Sequence, residues 1–310
     1  MSQNSKIEWT DSSWSPVTGC SKKSEGCEMC YAERLTKRLK LIAPKKYGNG
    51  FNVTCHPTVL DEPMKIKKPQ RIFVCSMSDL FHENVPFGFI EKVMDVIETC
   101  RQHTFMILTK RPERMLEYFI NLGKEAKNYG FDSIPSGSKE PLDYVPALPN
   151  LWLGVTAENQ RCADERVPIL LKIPAVVRFV SCEPLLSQIN LRRFLPQDRY
   201  YMTRCKHCGW IGSSELCIAD RGCDDDCEVF CPGCHEYIGE EDAPQINMVI
   251  AGAETGPGAR SMNPDWARSL LYQCRHSNAA FFMKQMSNKE PIPDDLMIRE
   301  FPKKVEDEDA

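Results

Sequence analysis

Cys20, Cys27 and Cys30 lie in the run Gly19-Cys20-Ser-Lys-Lys-Ser-Glu-Gly26-Cys27-Glu-Met-Cys30-Tyr31, a C-x6-C-x2-C set one thiolate short of a closed metal site. Structural zinc closes with four protein ligands, and clusters in electron carriers are usually held by four cysteines. A compact triplet therefore leaves one metal position free for chemistry. A second set has a different character. Cys205-Lys-His-Cys208 and, two dozen residues on, Cys231-Pro-Gly-Cys234 are paired C-x2-C knuckles with the spacing of a zinc ribbon. Each knuckle puts two sulfurs on one side of a tight turn, and two knuckles complete a tetrahedron. Gly209 and Gly233 are expected to relieve the turns, and His207 and His235 to face solvent. Cys217, Cys223 and Cys227 lie between the knuckles as extra donors, leaving a second zinc or an auxiliary iron–sulfur cluster open.

Sixteen cysteines in a chain whose first residues lack the apolar core of an export signal argue for reduced thiols and metal ligation over disulfides. The expected location is cytoplasmic. No apolar stretch approaches the roughly 18 residues of a membrane span, so no membrane partner is expected. At 310 residues and 42% hydrophobic, the chain can bury one large core or a core plus a small module.

The net charge of −4 hides an asymmetry. Between Cys20 and Arg71 twelve Lys or Arg face five acids, whereas between Arg199 and Ala243 four basic residues face ten acidic ones. A basic surface folded from the segment that carries the triplet would attract a polyanion; the plainer reading is a solvated helix face.

Positioning these groups falls to alternating strands and helices. Nearly continuous apolar runs at 71–77, 104–110, 151–157, 176–184, 246–254 and 280–285 are too short for helices and read as buried parallel strands. Phe89, Ile90, Val93, Met94, Ile97 and Cys100 recur at helical spacing, while Pro112-Glu113 and Asn263-Pro264-Asp265 open further helices. Residues 124–149, rich in Gly, Ser and Pro, read as a surface loop. Each strand ends in polar residues: Ser78 and Asp79, Lys110 and Arg111, Glu158, Glu183, Glu254, and Lys284. Polar endings on nearly every strand favour a full or partial (β/α) TIM-like barrel, where all ends meet at one mouth, over an open α/β sheet. The expected organisation is a barrel over 1–198 and 244–310 with a cysteine-rich, zinc-ribbon-like insert over 199–243.

Trp14 through Glu33, SMSDLFHENVP from Ser76, ILTKRPERM from Ile107, LGVTAENQ from Leu153, SCEPLL from Ser181 and AGAETGPGAR from Ala251 together resemble the phage gene product 37/68 family across nearly the whole chain. Those proteins look like radical S-adenosylmethionine (SAM) enzymes. The resemblance implies a radical SAM type of barrel, in which Cys20, Cys27 and Cys30 bind a 4Fe-4S cluster whose fourth iron holds SAM. The spacing departs from the superfamily's commonest C-x3-C-x2-C. It also implies that Tyr31 packs near the adenine and that Ser78 and Asp79 meet the SAM ammonium. Glu158, Glu183 and Glu254 would hold its ribose or ammonium, and Lys110, Arg111 or Lys284 its carboxylate or the substrate. The resemblance implies a flavodoxin- or ferredoxin-like electron donor and, with the basic stretch from Lys22 to Arg71, a nucleic acid as substrate; the acidity of the insert points to a protein-docking or lid module. Two other readings are a non-catalytic zinc-binding adaptor for nucleic acid or protein, and a nuclease or glycosylase using the strand-end acids, which lack the spacing of a nuclease carboxylate cluster.

Overall fold

The computed structural model describes residues 1–3, 5, 7–129, 140–195, 202–219, 229–238 and 243–302. Its frame runs β1 (Ser12–Trp14), α1 (Tyr31–Ile42), β2 (Arg71–Val74), α2 (Phe87–Thr99), β3 (Thr104–Thr109), α3 (Pro112–Tyr129), β4 (Leu151–Thr156), α4 (Gln160–Leu170), β5 (Val177–Cys182), β6 (Met248–Gly252), α5 (Pro264–Arg275) and β7 (Ala280–Gln285). The seven strands are parallel and stand side by side in chain order. The order never reverses, so the sheet has no switch point and winds one way, as a barrel does. It stops short of closure. Ser2–Gln3 pairs antiparallel along β1 at one edge. At the other, the Met283 and Glu300 amides donate to the Ile298 and Phe281 carbonyls, so a returning segment covers β7. The fold is thus a partial β/α barrel with both edges covered, which removes the hazard of unpaired strands.

Alternation along the strands builds two apolar layers. Ile72, Phe105, Ile107, Leu153, Val180, Val249 and Phe281 meet the helices, where Ile90, Val93 and Ile97 of α2 and Leu270 of α5 supply the facing stripe. Phe73, Met106, Phe179, Met248, Ile250 and Phe282 point to the other face and pack with Trp9. Truncating a fully buried member such as Leu153 to Ala would cost about 2–5 kcal/mol. Gly154 is required where it stands: a Cβ there would strike the Phe179 ring.

The six strands expected from apolar runs are present; Ala280–Gln285 matches its run, and the other five lose up to three residues at one end or both. Asn263 caps α5, its Oδ1 accepting the Asp265 amide at 2.9 Å, with Pro264 in the first turn. Two differences stand out. A seventh parallel strand, β1, precedes those expected. The surface loop expected over 124–149 begins too early, because α3 runs on to Tyr129; residues 130–139 lie outside those described. Pro141 returns against α3 at Gly123, where a Cβ would collide with its carbonyl.

The insert lies between β5 and β6. It contains a hairpin of Met202–Arg204 with Ile211–Ser213 and a second pair, Ile218–Ala219 with Val229–Phe230. Ile211 joins the main core, so the module is seated on the barrel. Among the described residues no helix is long and apolar enough to cross a membrane.

Candidate metal centres at the strand ends and in the insert

The triplet leaves β1 at Gly19, whose φ of +80° only glycine adopts cheaply, and where a Cβ would meet the Asn52 and Phe51 carbonyls. The Gly19 amide donates to the Met77 carbonyl at 3.1 Å, and the Ser78 hydroxyl donates to the Gly19 carbonyl at 2.5 Å. Cys27 closes a short 3-10 turn, Glu25–Cys27, and Cys30 immediately precedes α1 as its N-cap residue. Burial pushes the Cys20 thiol up to about 12, with Asp79 adding to the rise and Arg111 opposing it.

Four charged clamps hold this loop on the barrel mouth. In the first, Asp79 accepts the Phe81 amide (3.0 Å), the Thr109 hydroxyl (2.7 Å), the Lys110 amide (3.1 Å) and Arg111 Nη1 (3.2 Å). Arg111 carries the connection on to Cys20, Ser21 and Glu83. Ser21 also bonds His82 Nε2 at 2.8 Å; His82 Nδ1 accepts the Asn84 amide, and burial lowers the imidazole pKa, so the ring is neutral with its proton on Nε2.

The second clamp is Glu158, fully buried at the end of β4. One carboxylate oxygen takes Ser24 of the loop and Lys110, and the other takes Arg166 Nη1 at 2.9 Å. Burial alone would raise this carboxyl; Lys110 and Arg166 overcome it and hold the pKa at about 2. Gly26 presses against it so closely that a Cβ would enter the carboxylate. In the third clamp, Arg260 ties Glu254 to Glu28 and to the Glu25 carbonyl. In the fourth, Arg34 of α1 donates to the carbonyls of Thr255 (2.7 Å) and Pro257 (3.3 Å), beneath Gly256 at φ +97°.

Every strand-end residue singled out by sequence is thus at the mouth. Asp79, Arg111, Glu158 and Glu254 spend their hydrogen bonds on the protein itself, Lys110 Nζ pairs with Glu158, and Ser78 ties down Gly19. Tyr31 is half exposed, its hydroxyl donating to the Ser76 carbonyl. Lys284 and Glu183 pair with each other beside Gln285, where Gly252 keeps the backbone low. On the same face of β5 the buried Ser181 hydroxyl has no protein partner. Sequence reasoning passed over Ser24, Glu83, Arg34, Arg166 and Arg260; only the abundance of charge beside the glycine-rich runs hinted at them.

The sulfurs of Cys205, Cys208, Cys231 and Cys234 all lie within 4.8 Å of one another, the one such set among the described residues. Two Sγ–Sγ separations, Cys205 to Cys234 and Cys208 to Cys231, are 3.5 Å. A tetrahedral ion with metal–sulfur bonds of 2.3 Å needs edges of about 3.8 Å, so the site can hold a metal. The knuckles repeat one pattern. Gly209 and His235 amides donate to the Cys205 and Cys231 carbonyls, and the Cys205 and Cys231 amides donate to Trp210 and Glu236. Gly209 takes the positive φ expected of it, but in the second knuckle His235 does so (φ +61°), not Gly233. Gly233 instead gives its amide to Cys231 Sγ at 3.3 Å. His207 and His235 face solvent. Cys217 packs against the cysteine cluster without joining the four; Cys223 and Cys227 lie outside the described residues.

A partial β/α barrel with a cysteine loop clamped over its strand ends and a four-cysteine site in an insert defines the class of architecture. The chain belongs to the family described as protein of unknown function (DUF5131), whose model matches residues 4–306. No curated protein and no solved structure matches it.

Proposed function

We propose that this chain is a radical SAM enzyme. The observation that carries the reading is the Cys20–Cys30 loop, three cysteines with no fourth in the run, fastened by Asp79–Arg111, Glu158, Arg260 and Arg34 over the mouth of a one-way parallel sheet. Cys20, Cys27 and Cys30 are all free thiols on one short loop, a donor set that fits an iron–sulfur cluster with one iron left free of protein. When bound, a 4Fe-4S cluster with one iron free of protein supplies the electron that cleaves the sulfonium carbon bond of SAM. Cys20, Cys27 and Cys30 would hold it. Lys284, Glu183 and Tyr31 offer the amine, carboxylate and ring suited to the carboxylate, ammonium and adenine of SAM, and Ser181 offers a free buried hydroxyl.

The four-cysteine site is proposed to hold zinc, which would fold a module too small for a core of its own. Nine basic residues of the segment from Cys20 to Arg71, Lys22, Lys23, Lys37, Arg38, Lys40, Lys45, Lys65, Lys67 and Lys68, are exposed, Lys65 paired with Asp61, favouring a nucleic acid as substrate. Lys22 and Lys23 also line an open cleft of about 340 Å³ between the cysteine loop and the start of α3. A flavodoxin- or ferredoxin-like protein is the proposed electron donor.

Anaerobic reconstitution tests the central reading. The protein should turn brown, bind about four irons per chain and release 5′-deoxyadenosine and methionine from SAM under dithionite. Replacing Cys20, Cys27 and Cys30 by Ala should abolish both; iron retained by that triple variant would sink the assignment.

A further inference from the structure

Arg111 Nη1 lies 3.6 Å from Cys20 Sγ, and every N–H of the guanidinium has a place. Nε donates to Glu83 at 2.8 Å, Nη1 to Asp79 and to the sulfur, and Nη2 to the Ser21 carbonyl (3.2 Å) and hydroxyl (2.8 Å). The side chain is buried, and Asp79, which fixes it, is itself held by three further donors from β3 and the β2 loop. Such a fork cannot swing away to meet a ligand without breaking contacts on four residues. Cys27 Sγ, by contrast, takes a neutral backbone N–H from Lys23 at 3.5 Å.

We propose that Arg111 is a positioning residue that directs a charge-assisted hydrogen bond onto the Cys20 sulfur of the iron–sulfur centre and raises its reduction potential. The inference rests on the cluster reading above. Reduction adds negative charge to the iron and its thiolates, and both a cation and an N–H donor at a ligand sulfur favour the reduced state. Asp79 and Glu83 partly offset the cation, and their unequal exposure separates their roles. Asp79 is buried and sets the geometry. Glu83 is more than half exposed and moderates the charge.

Arg111→Gln, Arg111→Lys and Glu83→Gln, each reconstituted anaerobically, test this by redox titration followed by electron paramagnetic resonance, without SAM. Arg111→Gln should lower the midpoint potential. Arg111→Lys, which keeps the charge but loses the fork, should fall between it and the parent protein. Glu83→Gln, which removes the charge but keeps a side-chain oxygen to accept Arg111 Nε, should raise it. Should an Arg111 variant fail to take up iron, Glu83→Gln still decides: a potential unchanged there, or in any Arg111 variant that loads, overturns the proposal. A parent protein that binds no cluster would instead bring down the underlying reading, a separate and recognisable result.

Discussion

Arg260 grips Glu254 through its backbone amide at 3.0 Å, Nε at 3.0 Å and Nη2 at 2.5 Å, while Nη1 reaches Glu28 across 232 residues of chain. The strand-end loop after β6 and the cysteine loop are therefore one electrostatic unit. Arg260→Ala leaves Glu254, only 8% exposed, short of two donors, a loss of about 1–3 kcal/mol. The expected outcome is a folded protein whose iron is lost faster to a chelator under anaerobic conditions. An unchanged rate of iron loss would show that this clamp does not hold the loop.

Glu158 sets the acid limit of the site. Its folded pKa of about 2 lies below the ordinary 4.5, because Lys110 and Arg166 outweigh burial. The charged form therefore stabilises the fold fully above the unfolded value, and that contribution drains away as pH falls from about 4.5 toward 2. Glu158→Gln strands two cations against a neutral amide and should cost about 3–5 kcal/mol at neutral pH. It should also flatten the acid arm of the stability curve measured by denaturant unfolding of the apoprotein. An acid arm as steep as the parent's would place the responsible carboxylate elsewhere.

How much of this was legible beforehand depends on what kind of signal each part leaves. Six strands announce themselves as apolar runs, because they are buried on both faces. β1 does not: Ser12, Ser13 and Trp14 are too few and too polar, and the strand exists because β2 and Ser2–Gln3 flank it. α1 was also silent, since Ala32 and Thr36 are its buried residues while Leu35, Leu41 and Ile42 are exposed, so no inward apolar stripe marks it. The four-cysteine site was readable because two short spacings suffice to specify it. The clamps were not, because Ser24 with Glu158, or Arg260 with Glu28, are brought together by topology across long separations.

The insert should depend on its metal while the barrel does not. Each native chain should carry one zinc at Cys205, Cys208, Cys231 and Cys234, since four sulfurs within 4.8 Å of one another form the donor set of a closed tetrahedral site. Cys205→Ser with Cys234→Ser should remove that zinc and expose the insert to limited proteolysis, leaving fragments of the barrel intact. Zinc at full occupancy in the double variant would refute the assignment.

The proposed nucleic-acid substrate makes a quantitative demand on salt. Lys67 and Lys68 are exposed on the segment that leads into β2, and Lys37, Arg38 and Lys40 are exposed on α1, which begins beside Cys30. If these cations neutralise phosphates, log affinity for duplex DNA should fall linearly with log salt at about 0.9 per phosphate contacted, and about 0.7 for a single strand. Removing the pair through Lys67→Glu and Lys68→Glu should make that slope shallower by roughly two contacts, with iron content and zinc unchanged because both residues are exposed and lie outside the two cysteine segments. Filter binding at several salt concentrations, with single- and double-stranded DNA and RNA, measures this. A weak affinity indifferent to salt would turn the search toward a small-molecule or peptide substrate, with the basic residues serving as a solvated surface.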